Sequence, residues 1–333
     1  MKKSQARRSL KKVSTILGVS ALATAARAAD GGDVVQLPPI TVTAQKTAQE
    51  AGVVPESLTA LTHLTLQESG ARSVEEAGAY SPDLYFTDFA PRKNSAPRFR
   101  GIGASPLNPG VTTYLDGVPQ LNSNSSSQEL TDVDQIEFIR GPQSALFGRN
   151  TVGGVINVTS LTPSKDWTGG LEGQYGNYNL HDARADASGP VIADALSFRV
   201  GGGYSERDGF TKNVNTGHDV DYRSDWFGKG QLLYNPAADW TLRLIVSGER
   251  DRDGDYPLGD LAAIRANPHT VSLRYEGYAN RDIASPTLVL SHQGGAVDFV
   301  ATSGGVWWKT YDSTDLNYAA AQGGFPVPHF NQE

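Results

Sequence analysis

The side chains of this chain that could do chemistry are spaced in ways that exclude most of it. Cysteine is absent, which rules out thiol nucleophiles, disulfide scaffolds, cysteine-ligated zinc and iron–sulfur clusters. The six histidines, His63, His181, His218, His269, His292 and His329, show no His-x-x-x-His spacing that would bring two imidazoles onto one metal. No paired catalytic carboxylates, nucleophile motif or Walker loop emerge, and Gly101-Ile102-Gly103 lacks the third glycine of a dinucleotide fingerprint. Asp251, Asp253 and Asp255 alternate as calcium-loop ligands do. The closing glutamate of such a loop is missing, so these acids are expected on a solvated loop. No metal, cofactor or catalytic residue is expected, and the chain is not read as an enzyme. One short segment offers chemistry of another kind. Ile40, Thr41, Val42, Thr43 and Ala44 follow two prolines and favour an extended backbone. An extended tail carries unpaired N–H and C=O groups, so it can add as a strand to the sheet edge of another protein.

Composition narrows the setting. The 333 residues carry a net charge of −7, with 38% hydrophobic residues, 36 glycines and 18 prolines. A net negative balance argues against nucleic acid as a partner. Lys2, Lys3, Arg7, Arg8, Lys11 and Lys12 precede an apolar stretch over 13–26 and the small-x-small site Ala26-Arg27-Ala28. That order is the pattern of a secretory signal peptide over residues 1–28, with an amphipathic surface helix as the alternative. Its removal takes away seven basic side chains and no acid, doubling the net charge of −7. No apolar run is long enough to cross a membrane as a helix.

Residues 29–52 read as a polar tail containing the extended segment. Residues 53–160 read as one mixed domain, with strands near 58–66, 99–102, 111–115, 135–140 and 152–159. Short helices are expected at 74–80 and 144–147, and a Ser/Asn-rich loop at 121–128. From 167 to 333 the period changes to two. Leu196, Phe198, Val200, Gly202 and Tyr204 share one face, with Ser197, Arg199, Gly201 and Gly203 on the other. Trp226 to Tyr234 and Trp240 to Val246 repeat the pattern. Seven strands are expected, near 168–177, 180–188, 195–206, 223–234, 240–250, 283–292 and 296–309. Short turns alternate with long loops over 206–222 and 250–282, as in an outer-membrane barrel with lipid outside and lumen inside. A soluble β-sandwich is the alternative.

Four sequence pieces in order then carry a resemblance. Arg98-Phe99-Arg100-Gly101 is followed by Asp116-Gly117-Val118-Pro119, by the run from Ile136 through Arg140, Gly141 and Gly148 to Asn150, and by Gly153-Gly154-Val155-Ile156-Asn157-Val158. This resembles the plug domain of TonB-dependent outer-membrane receptors of the siderophore-receptor type. The resemblance implies an α+β plug followed by antiparallel transmembrane β-barrel strands. It makes residues 40–44 a TonB box that pairs with the periplasmic C-terminal domain of TonB. It places the N-terminus in the periplasm, the barrel in outer-membrane lipid of a Gram-negative cell, and a ferric siderophore in the role of transported ligand. Other large solutes (cobalamin, haem, a glycan) remain open, as does a non-transporting remnant or plug-only binding module. A plugged barrel of about 22 strands, at roughly 20 residues each, needs more than twice the residues that follow 160, so an N-terminal portion of a longer receptor is expected.

The resemblance also assigns residues. Arg100 and Arg140 stand where the plug arginines of the family meet barrel glutamates, and with those partners lacking they are expected to be underpaired. Ser105, Asn108, Gln120, Asn122 and Asn124 are expected on plug apices facing ligand. Tyr204 and Tyr256 are expected as aromatic ligand contacts near the outer loops.

Overall fold

The computed structural model describes residues 39–87, 91–92, 95–103, 109–294, 297–315 and 330–332. The expected signal peptide over 1–28, together with Ser105 and Asn108, lies outside the described residues. The chain first forms a hairpin of β1 (Thr41–Val42) and β2 (Gln49–Glu50). The plug follows, with β3 (Ser57–Thr62), α1 (His63–Ser69), α2 (Val74–Gly78), β4 (Leu84–Thr87), β5 (Ala96–Phe99), β6 (Val111–Leu115) and β7 (Val118–Gln120). It continues through β8 (Val133–Arg140), α3 (Ser144–Phe147) and β9 (Gly154–Ser160). Its sheet has the order β3-β8-β9-β6-β7, with β6 and β9 parallel and the other pairs antiparallel.

Alternation along β8 divides the plug into two packing faces. Ile136 and Phe138 turn toward α1 and α2, joining Leu61, Leu66, Val74, Ala77 and Phe99 in one buried cluster. Ile139 joins Ala44, Tyr114, Phe147 and Val155 in a second. Helices α1 and α2 are short but capped. Thr62 and Ser73 accept from Thr65 N and Glu76 N, and α1 stops at Gly70, whose φ of 70° suits a residue without a Cβ.

The rest is one antiparallel sheet. Its strands are β10 (Thr168–Gly176), β11 (Leu180–Ile192), β12 (Leu196–Arg207), β14 (Arg223–Ala237), β15 (Trp240–Asp253), β17 (Tyr278–His292), β18 (Phe299–Gly304), β19 (Trp307–Ser313) and β20 (Phe330–Gln332). Between them, β13 (Lys212–Asn213) pairs in parallel with β16 (Thr270–Val271), and α4 spans Leu261–Ala266. The burial order inverts that of a soluble protein: Leu171 is 86% exposed and Trp226 62%, while Arg281 is 1% and Lys229 6%. Apolar side chains face outward and polar ones inward, which fits strands of a membrane barrel around a polar interior.

The structure revises several strand boundaries. The expected strand at 296–309 is two segments, β18 and β19, both paired with β17. Their ladder lapses opposite Ser285 and Pro286, where the proline has no N–H to give. Strand β15 runs on to Asp253 and β17 begins at Tyr278, inside the expected long loop. Those extra strand residues carry charges that face inward, so polarity made them look like loop. The two outer loops are ordered: Val220, Val271 and Leu273 form a buried cluster, and Asn213 both donates to Leu273 O and accepts from Leu273 N.

Candidate functional site

Two polar contacts define the site: the docking of the N-terminal segment onto the plug, and the seating of the plug against the large sheet. Expected as an isolated extended strand in a flexible tail, residues 40–44 are instead paired and packed. Thr41 and Val42 oppose Glu50 and Gln49. Val42 and Ala44 are wholly buried while Ile40 is exposed. Thr43 sits over β8 and β9, where its N–H donates to Glu137 Oε1 at 2.6 Å and its hydroxyl at 3.1 Å. Asn157 Nδ2 donates to Thr43 Oγ1 at 3.0 Å, and Gln135 Nε2 to Thr41 O at 3.1 Å. Three residues after Thr43, Lys46 turns the chain at φ 64° and lays its ammonium 4.0 Å from the centroid of the Phe147 ring. Burial pushes the Lys46 pKa down from its ordinary value.

The two plug arginines named by resemblance have partners inside the plug. Arg100, at φ 50° and largely exposed, pairs with Asp83 at 3.3 Å. Arg140 donates to Ser57 Oγ at 2.9 Å, Thr59 Oγ1 at 2.8 Å and Ser81 Oγ at 3.4 Å. The expectation that they are underpaired is therefore corrected, because hydroxyls of β3 and the turn after α2 lie within reach of Arg140.

Seating is done by residues that sequence reading passed over. Arg92, 7% exposed, meets Asp225 at 2.6 Å and Asp253 at 2.9 Å on the sheet, and its own N–H donates to Asp253 Oδ2 at 3.0 Å. Burial works against its charge, but Asp253, Asp251 and Asp225 more than offset this and hold its pKa well above the ordinary value. Glu129 meets Arg92 at 3.4 Å and Arg184 at 2.8 Å. Desolvation, helped by Asp225 and opposed by the two arginines, pushes its carboxyl from 4.5 up to about 7. Asp132 pairs with Arg199 at 2.9 Å.

A second pattern recurs around this interface: cations on the sheet donate to main-chain carbonyls of the plug. Arg184 reaches Leu130 O at 3.1 Å, Lys229 reaches Thr131 O at 2.7 Å, and Arg243 reaches Ser160 O and Leu161 O at 3.0 Å each. Arg281 reaches Asn124 O at 2.7 Å and Ser127 O at 3.0 Å. Glycine permits the closest approaches. A Cβ on Gly201 would collide with the Asp132 carboxylate, and one on Gly304 with Val118. Beside the contact, between α1 and β10–β12, lies a cavity of about 550 Å³ lined by His63, Arg72, Asp132, Arg184 and Arg199.

This geometry corrects further expectations. Asp251 and Asp253 are not on a solvated loop, since both are strand residues 1% exposed and paired with Arg281 and Arg92. Asp255 is also buried, accepting from Tyr256 N at 2.8 Å and Gly277 N at 3.1 Å. The loop at 121–128 is not an open apex. Gln120, Asn122 and Asn124 are buried, and the Asn122 side chain accepts from Asn124 N at 2.9 Å. Tyr204 stacks on Trp226 across the strands, 4.6 Å between centroids, on the outward face that carries the exposed apolar residues, so it does not face the interior. Tyr256 is buried at the base of the loop after β15, its hydroxyl 3.5 Å from Asp312. The missed acids had one sequence signal: Glu249, Asp251 and Asp253 repeat with the period of the strand and share its inward face.

Comparison with known proteins agrees with this architecture. The family model described as TonB-dependent Receptor Plug Domain matches residues 51–155. The pesticin receptor of Yersinia pestis is 32% identical over 155 residues, 46% of this chain and 23% of that protein. The ferrioxamine B receptor of Salmonella typhimurium is 32% identical over 158 residues, 46% of this chain and 22% of that protein. Among solved structures, the ferric yersiniabactin uptake receptor of Yersinia pestis superposes with a TM-score of 0.70 at 26% identity. That match covers 78% of this chain and 41% of the receptor. The chain thus spans less than a third of the length of the curated relatives it matches. Residues 51–155 therefore match a TonB-dependent receptor plug domain, and the plug together with its antiparallel sheet is similar in fold to the ferric yersiniabactin uptake receptor.

Proposed function

We propose that the protein serves energy-coupled uptake of a ferric siderophore across the outer membrane, with iron entering as part of the solute. The observation that carries this is the N-terminal segment. It is extended, and it is held on the plug by hydrogen bonds and a small apolar contact, with Thr43 on Glu137 as its main tie. Such a segment can leave the plug and add to a sheet edge of TonB through its backbone. The names of the similar receptors, for pesticin, ferrioxamine B and ferric yersiniabactin, support an iron chelate as the solute class.

In this reading residues 1–28 are a leader, 29–52 a periplasmic tail with the TonB box at 40–44, 53–160 the plug, and 167–333 barrel strands facing lipid. By the family pattern Arg100 and Arg140 would meet barrel glutamates, and the exposed Arg100, held only by Asp83 at 3.3 Å, supports this for its position. Arg140 would do so only by giving up hydroxyl partners.

The test uses cells lacking other siderophore receptors, with and without TonB, supplied with radio-iron on hydroxamate, catecholate and phenolate chelates. Val42→Pro removes an N–H from the box. It is expected to abolish TonB-dependent uptake and to leave chelate binding at the cell surface intact. Uptake that persists without TonB, or that Val42→Pro leaves unchanged, would overturn the proposal.

A further inference from the structure

We propose that Arg281 is a positioning residue of this uptake site: from the wall, it holds the plug loop at 122–128 closed by the loop's own main chain. Arg281 is the largest of the fully buried side chains, 1% exposed, on the inward face of β17. A purely structural ion pair would spend its donors on carboxylates. Here Nε donates to Asp251 Oδ2 at 2.5 Å and Nη2 to Glu249, while Nη1 leaves the wall and donates to Asn124 O and Ser127 O. Glu249 uses its other oxygen to accept the N–H of Glu129 at 2.9 Å. Two carbonyls of the plug loop and the N–H of Glu129, which follows it, therefore end on a single wall cluster. A guanidinium presents its donors in a planar fork that an ammonium does not reproduce.

The loop has its own turn, with Ser125 and Ser126 hydroxyls both donating to Asn122 O. It is also tied to the rest of the plug: Thr113 Oγ1 donates to Ser126 O, Gln128 Nε2 to Gln120 Oε1 and Val74 N to Gln128 O. The clamp also stands next to the outer surface. Asp251 lies just before the end of β15 and Arg281 just after the start of β17, and the loop joining these strands is the ordered one that Asn213 fastens at Leu273. A solute that shifts that loop displaces Arg281, and with it the plug loop.

The consequence for transport rests on the uptake reading, but the geometry is tested without ligand or TonB. Because the chain has no cysteine, Ser125→Cys supplies a unique buried thiol in the loop. Thr151→Cys supplies a buried reference in the plug turn after α3. Each is made with Arg281 native, with Arg281→Lys, and with the neutral set Glu249→Gln, Asp251→Asn and Arg281→Met, which leaves no carboxylate of the clamp unpaired. The full chain in outer-membrane preparations is treated with a membrane-impermeant maleimide. The Ser125→Cys thiol is expected to react at least about tenfold faster in both backgrounds as the loop opens locally, while the Thr151→Cys thiol keeps its native rate. Unchanged reactivity at Ser125→Cys overturns the proposal. So does an equal rise at both thiols, which would make Arg281 a support of the whole plug. If Arg281→Lys fails to assemble, the neutral set decides by the same criterion. Loss of the uptake reading alone would show as failed TonB dependence with the thiol result intact.

Discussion

Replacing Glu137 by leucine should free the N-terminal segment from the plug without unfolding the sheet beneath it. In the native chain Glu137 Oε1 accepts both the N–H and the hydroxyl of Thr43, at 2.6 and 3.1 Å. Hydrogen bonds to a charged group contribute about 1.5–3 kcal/mol each. These two donors share that oxygen with Gln135 Nε2 at 3.0 Å, so they are counted at the lower end; once undocked they regain water, and the net loss is about 3 kcal/mol. That raises the undocked population roughly a hundredfold. The apolar part of the contact, Ala44 against Tyr114, Val155 and Phe147 together with the burial of Val42, stays in place and keeps the segment mostly docked. The assay is amide hydrogen exchange on the solubilised protein, with Thr43 as the reporter and Ile156 in β9 as the control. Thr43 should exchange about a hundredfold faster while Ile156 keeps its protection, since exchange follows the free energy of local opening. If Thr43 exchange moves by less than about threefold, Glu137 is not the tie. If Ile156 accelerates equally, the substitution has damaged the sheet and the magnitude is wrong in kind. Under the uptake proposal, the apparent affinity for the TonB C-terminal domain should rise as the competent fraction rises.

Two further outcomes follow from the seating of the plug. The folded-state pKa of Glu129 is raised from 4.5 to about 7, so the protonated form is favoured in the seated plug. Its contribution to stability is complete below about pH 4.5 and is lost as pH rises through about 7. Thermal melting followed across this window should show falling stability toward neutral pH, and Glu129→Gln should flatten the slope; an unchanged slope would refute the assignment. Gly201→Val places carbon where the Asp132 carboxylate lies against the wall, an overpacking of about 1–3 kcal/mol. Separating Asp132 from Arg199 in this way should expose the plug to trypsin, and a proteolysis pattern identical to native would show that the close approach is not needed.

The parts of the fold legible in the sequence were those set by local pattern. Alternation in β12, β14 and β15 depends on neighbours two residues apart, and the turn at Gly141-Pro142 before α3 on the residues in the turn itself. The site was less legible because its contacts are remote. Thr43 and Glu137 are separated by 94 positions, and Arg92 and Asp253 by 161. Period-two patterning says that Glu249, Asp251 and Asp253 face inward together, but not which plug segment meets them. Composition misled at 121–128, since a loop rich in serine and asparagine looks the same whether water or its own main chain satisfies it. Here Asn122 O accepts from two serines, and Arg281 takes the carbonyls of Asn124 and Ser127.

The chemistry of the plug–wall contact bears on how such a plug could move. Obligate interfaces resemble a domain core cut in half, and separating them exposes apolar surface to water. The contact here is of another kind: Arg184, Lys229, Arg243 and Arg281 on the wall grip carbonyls of the plug backbone, and Arg92 enters a set of wall carboxylates. While water is excluded the contact is tight, because each charge left without a partner in the interior carries a large desolvation penalty. Once water enters, each of these groups can be hydrated, and the same bonds exchange at small net cost. A plug held in this way is seated by geometry and released by hydration. Where the wall holds carbonyls it reads no plug side chain, and side-chain pairing falls to residues such as Arg92, Glu129 and Asp132. The loop at 122–128 is thereby seated through its carbonyls, while its own turn rests on the side chains of Asn122, Ser125 and Ser126.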